Sequence, residues 1–191
     1  MHPHLTPQSQ PEDLRAQAPI HLALVTSAEL PELFGGEKLL PPALIKMGAR
    51  VSICVWDDPT VQWQSFDAVI IRCPWDYHEK LSDFLNWLNR LRELQVKVIN
   101  DLDTLMWNLN KKCLFELSQK NLPVIPSFCV TPDNQRSLAE LMKQLDSKQI
   151  VIKPVQSAGA WRTLRVSLEN MLEVDRDFSE WRQEQDFLVQ P

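Results

Sequence analysis

The sequence predicts an α/β protein in which an open, mainly parallel sheet is followed by a small α+β lobe. Between residues 20 and 100 of the 191-residue chain, four apolar strands alternate with helical or loop connections. Strands joined by such crossovers pair in parallel and carry helices on both faces of the sheet. After residue 100 the pattern changes to short helices and proline-punctuated extended segments, which favours a separate lobe with an antiparallel sheet. We therefore expect a flexible tail over 1–19, one domain over 20–100 and another over 101–191.

Apolar periodicity divides the first half into strands and helices. Strands are expected at 20–26, 50–56, 66–73 and 96–100. A helix over 37–49 would place Pro41 and Pro42 in its first turn, where proline is tolerated, and would end at Gly48. A second helix is expected over 79–95, because leucine and phenylalanine recur there every three or four residues.

The second half has a more mixed pattern. Asp101 or Asp103 is available to cap one or two short helices within 101–120. The further elements are expected as an extended segment at 122–131, a helix at 137–145, strands at 149–153, 161–166 and 186–190, and a short polar helix before the last strand. In the strand at 149–153 no polar residue alternates with the Ile-Val-Ile run, so we expect it to be buried on both faces.

Composition and charge argue against several classes of partner. The formal charge of −5 disfavours nucleic acid or an anionic membrane surface, since phosphate binding needs a basic face. No apolar run approaches the ~20 residues of a membrane span, and the first residues lack the basic and apolar segments of a signal peptide. The four cysteines are scattered among apolar residues. We therefore expect reduced thiols in a cytoplasmic protein and no protein-built zinc site.

Lys153 poses the main functional question. It follows three β-branched aliphatic residues and precedes a turn of small residues that includes Ser157 and Gly159. Lysine is rarely buried without a partner, and an ammonium beside backbone N–H groups and a serine hydroxyl suits an anion such as a nucleotide phosphate. The alternative is a lysine that reaches solvent at the end of an ordinary hairpin strand. The sequence contains neither GxxxxGK[ST] nor GxGxxG.

A second lysine and its surroundings carry a family resemblance. Lys111 and Lys112 stand early in a predicted helix that leads through "NLPVIP" into an extended segment. Next come "IVIKP", the small-residue loop "VQSAGA" and the strand end "FLVQP". In order and spacing these segments resemble the ATP-grasp superfamily, which has a helical lysine, a strand-end lysine, a small-residue loop and a strand that ends in a hinge.

The first half narrows the resemblance. It contains a WDD, a VxW and an R-x-x-W-D-Y segment, and it is similar to a bacterial ATP-grasp subgroup with RimK-like, glutathione synthetase-like and cycloserine-pathway cyclo-ligase relatives. Arg72, Trp75, Asp76 and Tyr77 follow the third strand, at the edge where open α/β sheets bind ligands, so they are candidate substrate contacts. The alternative is that Trp75 and Tyr77 pack on the next helix while Asp76 pairs with Arg72.

The resemblance implies ATP as the nucleotide and a small-molecule substrate. The parent reaction would be ligation of a carboxylate to an amine through an acyl-phosphate, a reaction in which cations must surround the phosphates. The residues that the resemblance assigns to ATP are Lys111, Lys153, Ser157, Ala158, Gly159, Val189 and Gln190. The two lysines would hold the phosphates, the loop would cover them, and the strand end would present main-chain groups to the adenine. Trp161 departs from the family pattern, in which this loop carries small or polar residues.

The resemblance also predicts a missing part. In the family, a second ATP-binding lobe after the hinge supplies the ligands of Mg²⁺, whereas this sequence stops at Pro191. We therefore expect the Mg²⁺ ligands to be absent and the chain to be inactive alone; intact, it would be an ATP-dependent carboxylate–amine ligase. The alternatives are a truncated, non-catalytic binding or interaction protein and a fragment of a larger enzyme.

The loss of a covering lobe predicts an exposed C-terminal edge. Phe187, Leu188 and Val189 belong to the last expected strand. An unpaired strand edge is a template for association, and large apolar patches are seldom left uncovered. We therefore expect either self-association through this region or disorder of the last strand.

Overall fold

The computed structural model describes residues 18–134 and 136–191, so most of the expected tail over 1–19 lies outside the described residues. The strands are β1 (His21–Thr26), β2 (Arg50–Val55), β3 (Ala68–Cys73), β4 (Val98–Ile99), β5 (Phe128–Val130), β6 (Gln149–Pro154), β7 (Leu164–Ser167) and β8 (Phe187–Gln190). The α-helices are α1 (Leu40–Lys46), α2 (Leu81–Glu93), α3 (Leu102–Asn108), α4 (Cys113–Gln119), α5 (Leu138–Gln144) and α6 (Met171–Trp181). Short 3₁₀ helices occupy Gly35–Leu39, Trp63–Ser65 and Trp75–His78.

The first four strands form a parallel sheet in the order β2-β1-β3-β4. Side chains alternate between the two faces along a strand, and β1 shows the result. Leu24 packs with Leu40 and Leu44 of the α1 region on one face. Ala23 and Val25 pack with the apolar side of α2 on the other face. Helices therefore cover both faces, as the sequence predicts.

Local signals explain where several helices begin and end. Pro41 and Pro42 lie in the first turn of α1, and Gly48 follows this helix with a φ of 92°, a conformation that costs glycine little. The side chain of Asp101 accepts a hydrogen bond from the backbone N–H of Thr104 and caps α3. Of the two aspartates that the sequence offers as caps, the structure uses the first.

The last four strands form a separate antiparallel sheet in the order β5-β8-β6-β7. Helices α5 and α6 pack on one face of it. Their side chains, among them Leu141 and Phe178, share a buried cluster with Ile150 and Ile152 of β6. The described residues thus form two separate sheets, which confirms the predicted α/β architecture with a small antiparallel sheet.

Strand β6 is buried on one face only, so the prediction of burial on both faces was wrong. Ile150 and Ile152 are buried against the helices, whereas Val151 and Lys153 on the opposite face are partly exposed. An apolar run without polar alternation does not determine whether helices or loops cover the second face of the sheet. The face that carries Lys153 is the face on which the candidate site lies.

The last strand is central in its sheet, so the predicted exposed edge was also wrong. Strand β8 lies between β5 and β6 and is hydrogen-bonded to both. Phe187, Leu188 and Val189 each have 0% of their surface exposed. The expected apolar patch for self-association is therefore not found at this strand. Among the described residues, no helix is long and apolar enough to cross a membrane.

Candidate phosphate-binding site

Two lysines from different elements meet beside one loop. Lys153 stands near the end of β6, and Lys111 lies just before α4, where its backbone N–H donates to the carbonyl of Val155 over 2.8 Å. The side-chain Nζ of Lys111 donates to both the carbonyl and the hydroxyl oxygen of Ser157, each at 3.0 Å. The structure thus brings together Lys111, Lys153 and Ser157, three residues that the sequence assigns to phosphate binding.

The charge of this pair of lysines is not balanced by an acidic side chain. Burial, and then the neighbouring charge of Lys153, lower the pKa of Lys111 below its ordinary value. Among residues 18–134 and 136–191, no carboxylate forms a hydrogen bond or ion pair with either ammonium group. An anion bound here would supply the missing counter-charge, because an opposite charge favours the protonated form of lysine.

Lys112 differs from its neighbour in its surroundings. Its Nζ forms a short ion pair with the carboxylate of Asp186, and this hydrogen bond raises the pKa of Lys112. Asp186 directly precedes β8, so the pair ties the start of α4 to the second sheet. Of the two adjacent lysines, Lys111 is the one whose charge remains available to a ligand.

The loop after β6 has a backbone that requires support. Gly159, Ala160 and Arg162 all have positive φ angles, of 58°, 60° and 48°. For residues other than glycine this conformation is unfavourable and persists only where surrounding contacts hold it. Gly159 and Ala160 are exposed, whereas Ser157 and Ala158 are partly buried. The loop therefore presents its tip to solvent directly beside the two lysines.

Trp161, which departs from the family pattern, packs at the side of this loop. Its ring lies 5.4 Å from the imidazole of His78, measured between ring centroids. The guanidinium of Arg162 lies 4.6 Å from the Trp161 ring and 5.2 Å from that of Trp181, and it pairs with Glu184. Trp161 thus contacts His78 of the first half, while Arg162 connects the loop to Trp181 and Glu184 of the second half.

The candidate substrate residues turn out to have separate partners. Arg72 donates to both carboxylate oxygens of Glu37 at 2.6 Å, so the alternative in which Arg72 pairs with Asp76 is not what the structure shows. The carboxylate of Asp76 is buried and accepts from the indole Nε1 of Trp56 at 2.8 Å. The reason is distance along the chain, since Glu37 is contributed by another connection of the first sheet and could not be chosen from local sequence.

Trp75 and Tyr77 face in different directions. Trp75 is 42% exposed and its ring lies 5.1 Å from that of Phe34. Tyr77 packs on Phe84 of α2, at 5.3 Å between ring centroids, and donates its hydroxyl to the carbonyl of Ser157 over 3.2 Å. Tyr77 is therefore the member of this group that reaches the loop beside the lysines.

A connection that the sequence reasoning missed joins the WDD and R-x-x-W-D-Y segments. Besides the bond from Trp56 to Asp76, the ammonium of Lys80 lies 2.8 Å from Asp57 and 3.4 Å from Asp76. Both segments end parallel strands at one edge of the first sheet. Both follow the carboxyl ends of strands in one parallel sheet, with β1 between them, and that shared edge is the signal that predicts such a contact.

Some main-chain groups of the strand end that the resemblance assigns to the adenine are already paired within the sheet. Val189 pairs with Phe128 on one side and with Ile152 on the other. Gln190 pairs with Val151 on one side, and its side-chain amide donates to the hydroxyl of Ser127 over 2.8 Å. Gln190 is therefore the residue with a main-chain edge that β5 does not cover.

The acidic residues of the described chain do not gather into a metal site. No group of three or more histidine, cysteine, aspartate or glutamate side chains lies close enough to hold an ion within residues 18–134 and 136–191.

Comparison with solved structures defines the class of protein. The crystal structure of D-cycloserine synthetase DcsG aligns with 90% of this chain and 59% of its own, with a TM-score of 0.74 at 27% identity. An ATP-grasp RimK domain protein from Sphaerobacter thermophilus aligns with 89% of this chain and 63% of its own, with a TM-score of 0.63 at 16% identity. The described residues thus share their fold with ATP-grasp proteins.

Comparison of sequences agrees with this class and refines it. Residues 22–100 match the family model for the N-terminal domain of D-cycloserine synthetase DcsG. The cycloserine biosynthesis protein DcsG of Streptomyces lavendulae is 33% identical over 137 residues, which cover 70% of this chain and 45% of that protein. The chain has the ATP-grasp fold, as the sequence predicts, and its first half is similar to the DcsG N-terminal domain. The matched residues span less than half of the length of this curated relative.

Proposed function

We propose that this chain binds ATP with its phosphates at Lys111 and Lys153. The observation that carries the proposal is the meeting of two ammonium groups beside the Ser157 loop, without a carboxylate partner among the described residues. Burying charge without a partner is unfavourable, so such an arrangement is better explained by a bound anion than by stability. A polyphosphate satisfies both lysines at once.

The remaining nucleotide contacts follow from the face of the second sheet. Lys153 pairs with Leu188 across the ladder, and Gln190 lies two residues further along β8. Side chains of these three positions point to the face opposite the helices, because neighbours across a ladder share a face. In this arrangement the phosphates lie under Ser157, Ala158 and Gly159, and the adenine lies at the main-chain edge of Gln190. Val189 is the preceding residue of β8 at the same strand end.

The parent reaction that we propose is ATP-dependent ligation of a small-molecule carboxylate to an amine. The γ-phosphoryl group passes to a carboxylate oxygen, which releases ADP and gives an acyl-phosphate. The amine then displaces phosphate, loses a proton and forms an amide. Arg72, Trp75, Asp76 and Tyr77 remain the proposed substrate edge of the first sheet. Phosphoryl transfer depends on positioned cations, which Lys111 and Lys153 supply in part.

We propose further that the protein acts in the cytoplasm. We also propose that the 191 residues alone do not hydrolyse ATP or transfer its phosphate. Mg²⁺ is expected in the intact family, and within the part of the chain that the structure describes no group of three or more histidine, cysteine, aspartate or glutamate side chains could hold a metal ion. The second candidate function is a non-catalytic protein that binds a nucleotide or another partner. The release of ADP from ATP, with and without candidate carboxylates and amines, distinguishes the two for any given preparation.

The test of nucleotide binding is calorimetric titration with ATP, ADP and AMP. Lys153→Ala should weaken ATP binding about 10- to 100-fold, because hydrogen bonds to charged groups are worth roughly 1.5–3 kcal/mol. Lys148→Ala is the matched control, since this exposed lysine stands before β6, about 16 Å from Lys153 along an extended strand. The wild-type chain should prefer ATP and ADP over AMP. Equal ATP affinity of wild type and Lys153→Ala would refute the proposal.

A further inference from the structure

One hydrogen bond connects the first sheet to the loop beside the lysines. The carbonyl of Ser157 accepts from the hydroxyl of Tyr77 at 3.2 Å and from the Nζ of Lys111 at 3.0 Å. A carbonyl oxygen has two lone pairs and satisfies both donors. Burial raises the pKa of Tyr77, so its hydroxyl remains a donor. The Ser157 carbonyl is thus held by two donors, the ammonium of Lys111 and the hydroxyl of Tyr77. The ammonium of Lys111 is also the group that would bind a phosphate.

A second contact joins the same two segments. His78, the residue after Tyr77, packs its ring against that of Trp161 at the far side of the loop. Between the two contacts lie Gly159 and Ala160, both with positive φ. A backbone of this kind keeps its conformation only if neighbouring contacts hold it there. The segment at Tyr77 and His78 provides such contacts from the first sheet.

We propose that Tyr77 is a positioning residue for the nucleotide loop. The inference rests on the proposed ATP binding and adds how the loop is held. When a phosphate takes the ammonium of Lys111, the Ser157 carbonyl loses one of its two donors. The hydroxyl of Tyr77 then keeps the loop over the phosphates. Because Tyr77 belongs to the proposed substrate edge, it also connects the two proposed binding regions mechanically.

Hydrogen exchange of the nucleotide-free chain tests the positioning role without relying on ATP. The relevant amides are those of Val155, Trp161 and Thr163, which donate to the carbonyls of Asp186, Ala158 and Ala160. Tyr77→Phe removes one hydroxyl and should speed exchange across 155–163 about fivefold, the effect expected for a bond of about 1 kcal/mol. Thr60→Val is the matched control, since it removes a hydroxyl that bonds to Asp58 within a turn of the first sheet.

Titration with ATP completes the test. We expect Tyr77→Phe to weaken ATP binding about fivefold by the same bond, with Thr60→Val unchanged in both measurements. Unchanged exchange over 155–163 in Tyr77→Phe, or equal acceleration in Thr60→Val, overturns the proposal. So does faster exchange with unaltered ATP affinity.

If wild type binds no ATP, the proposed function fails and the role of Tyr77 in nucleotide binding fails with it, whereas the exchange result still shows whether Tyr77 holds the loop. If Tyr77→Phe does not fold, Trp161→Ala replaces it, with faster exchange expected.

Discussion

Replacing Lys111 by methionine separates its role in anion binding from its role in folding. Methionine preserves most of the apolar length of the side chain and removes the ammonium. The change deletes the two hydrogen bonds from Nζ to Ser157, each of 3.0 Å. It also deletes a charge that burial and the nearby Lys153 disfavour, as the lowered pKa of Lys111 shows. Stability and binding should therefore respond differently.

The two effects on stability oppose each other. Two lost hydrogen bonds cost roughly 1 kcal/mol each, whereas removal of a desolvated charge beside a like charge is favourable and offsets part of that cost. The Ser157 carbonyl keeps its bond from Tyr77, so it is not left unpaired. We expect the free energy of unfolding to change by less than about 1 kcal/mol. ATP binding has no such compensation and should weaken about 10- to 100-fold.

Urea unfolding and calorimetric titration with ATP, on the same preparations near neutral pH, measure both quantities. Lys148→Met is the control, because it removes an exposed charge remote from the loop and should leave both unchanged. A loss of more than about 3 kcal/mol of stability together with unaltered ATP affinity would refute the reasoning. That result would make Lys111 a structural lysine whose charge the fold itself needs.

Two further predictions concern pH and the first sheet. ATP affinity should fall as pH rises through the lowered pKa of Lys111, at a lower pH than an ordinary lysine would give. Over the same range the free energy of unfolding should rise, since the unfolded chain binds more protons there; Lys111→Met should lose both dependences. Trp56→Phe should cost about 1–3 kcal/mol in urea unfolding, because it leaves the buried Asp76 carboxylate without its indole donor. Trp107→Phe, which removes a similar bond to Glu116 at a 38% exposed ring, should cost less than about 1 kcal/mol.

The elements were predictable because their signals are local. The apolar repeat of α2, the prolines at the start of α1 and the capping side chain of Asp101 all act within a few residues of the helix that they define. The change of pattern after residue 100 likewise marks the step from the parallel to the antiparallel sheet. Lys111 and Lys153 could be named because their motifs are also short segments.

Long-range pairing was not predictable in the same way. The position of β8 between β5 and β6 depends on which strands pair. The sequence of an apolar strand does not distinguish a central strand from an edge strand. The partner of Arg72 is Glu37, 35 residues away and on another connection. The bond from Tyr77 to Ser157 spans 80 residues and joins the two sheets. Such contacts follow from the assembled fold.

The proposed substrate residues differ in how easily they could give up their present partners and bind a ligand instead. Asp76 is 7% exposed and holds Trp56 and Lys80, so releasing it would leave a buried carboxylate unpaired. Arg72 and Glu37 are a partly exposed pair, and such pairs contribute only about 0–1 kcal/mol. A ligand carboxylate can therefore replace Glu37 on the fork of Arg72 at small cost. We therefore expect Arg72, rather than Asp76, to meet a charged ligand at this edge, while Asp76 bonds to Trp56 and Lys80.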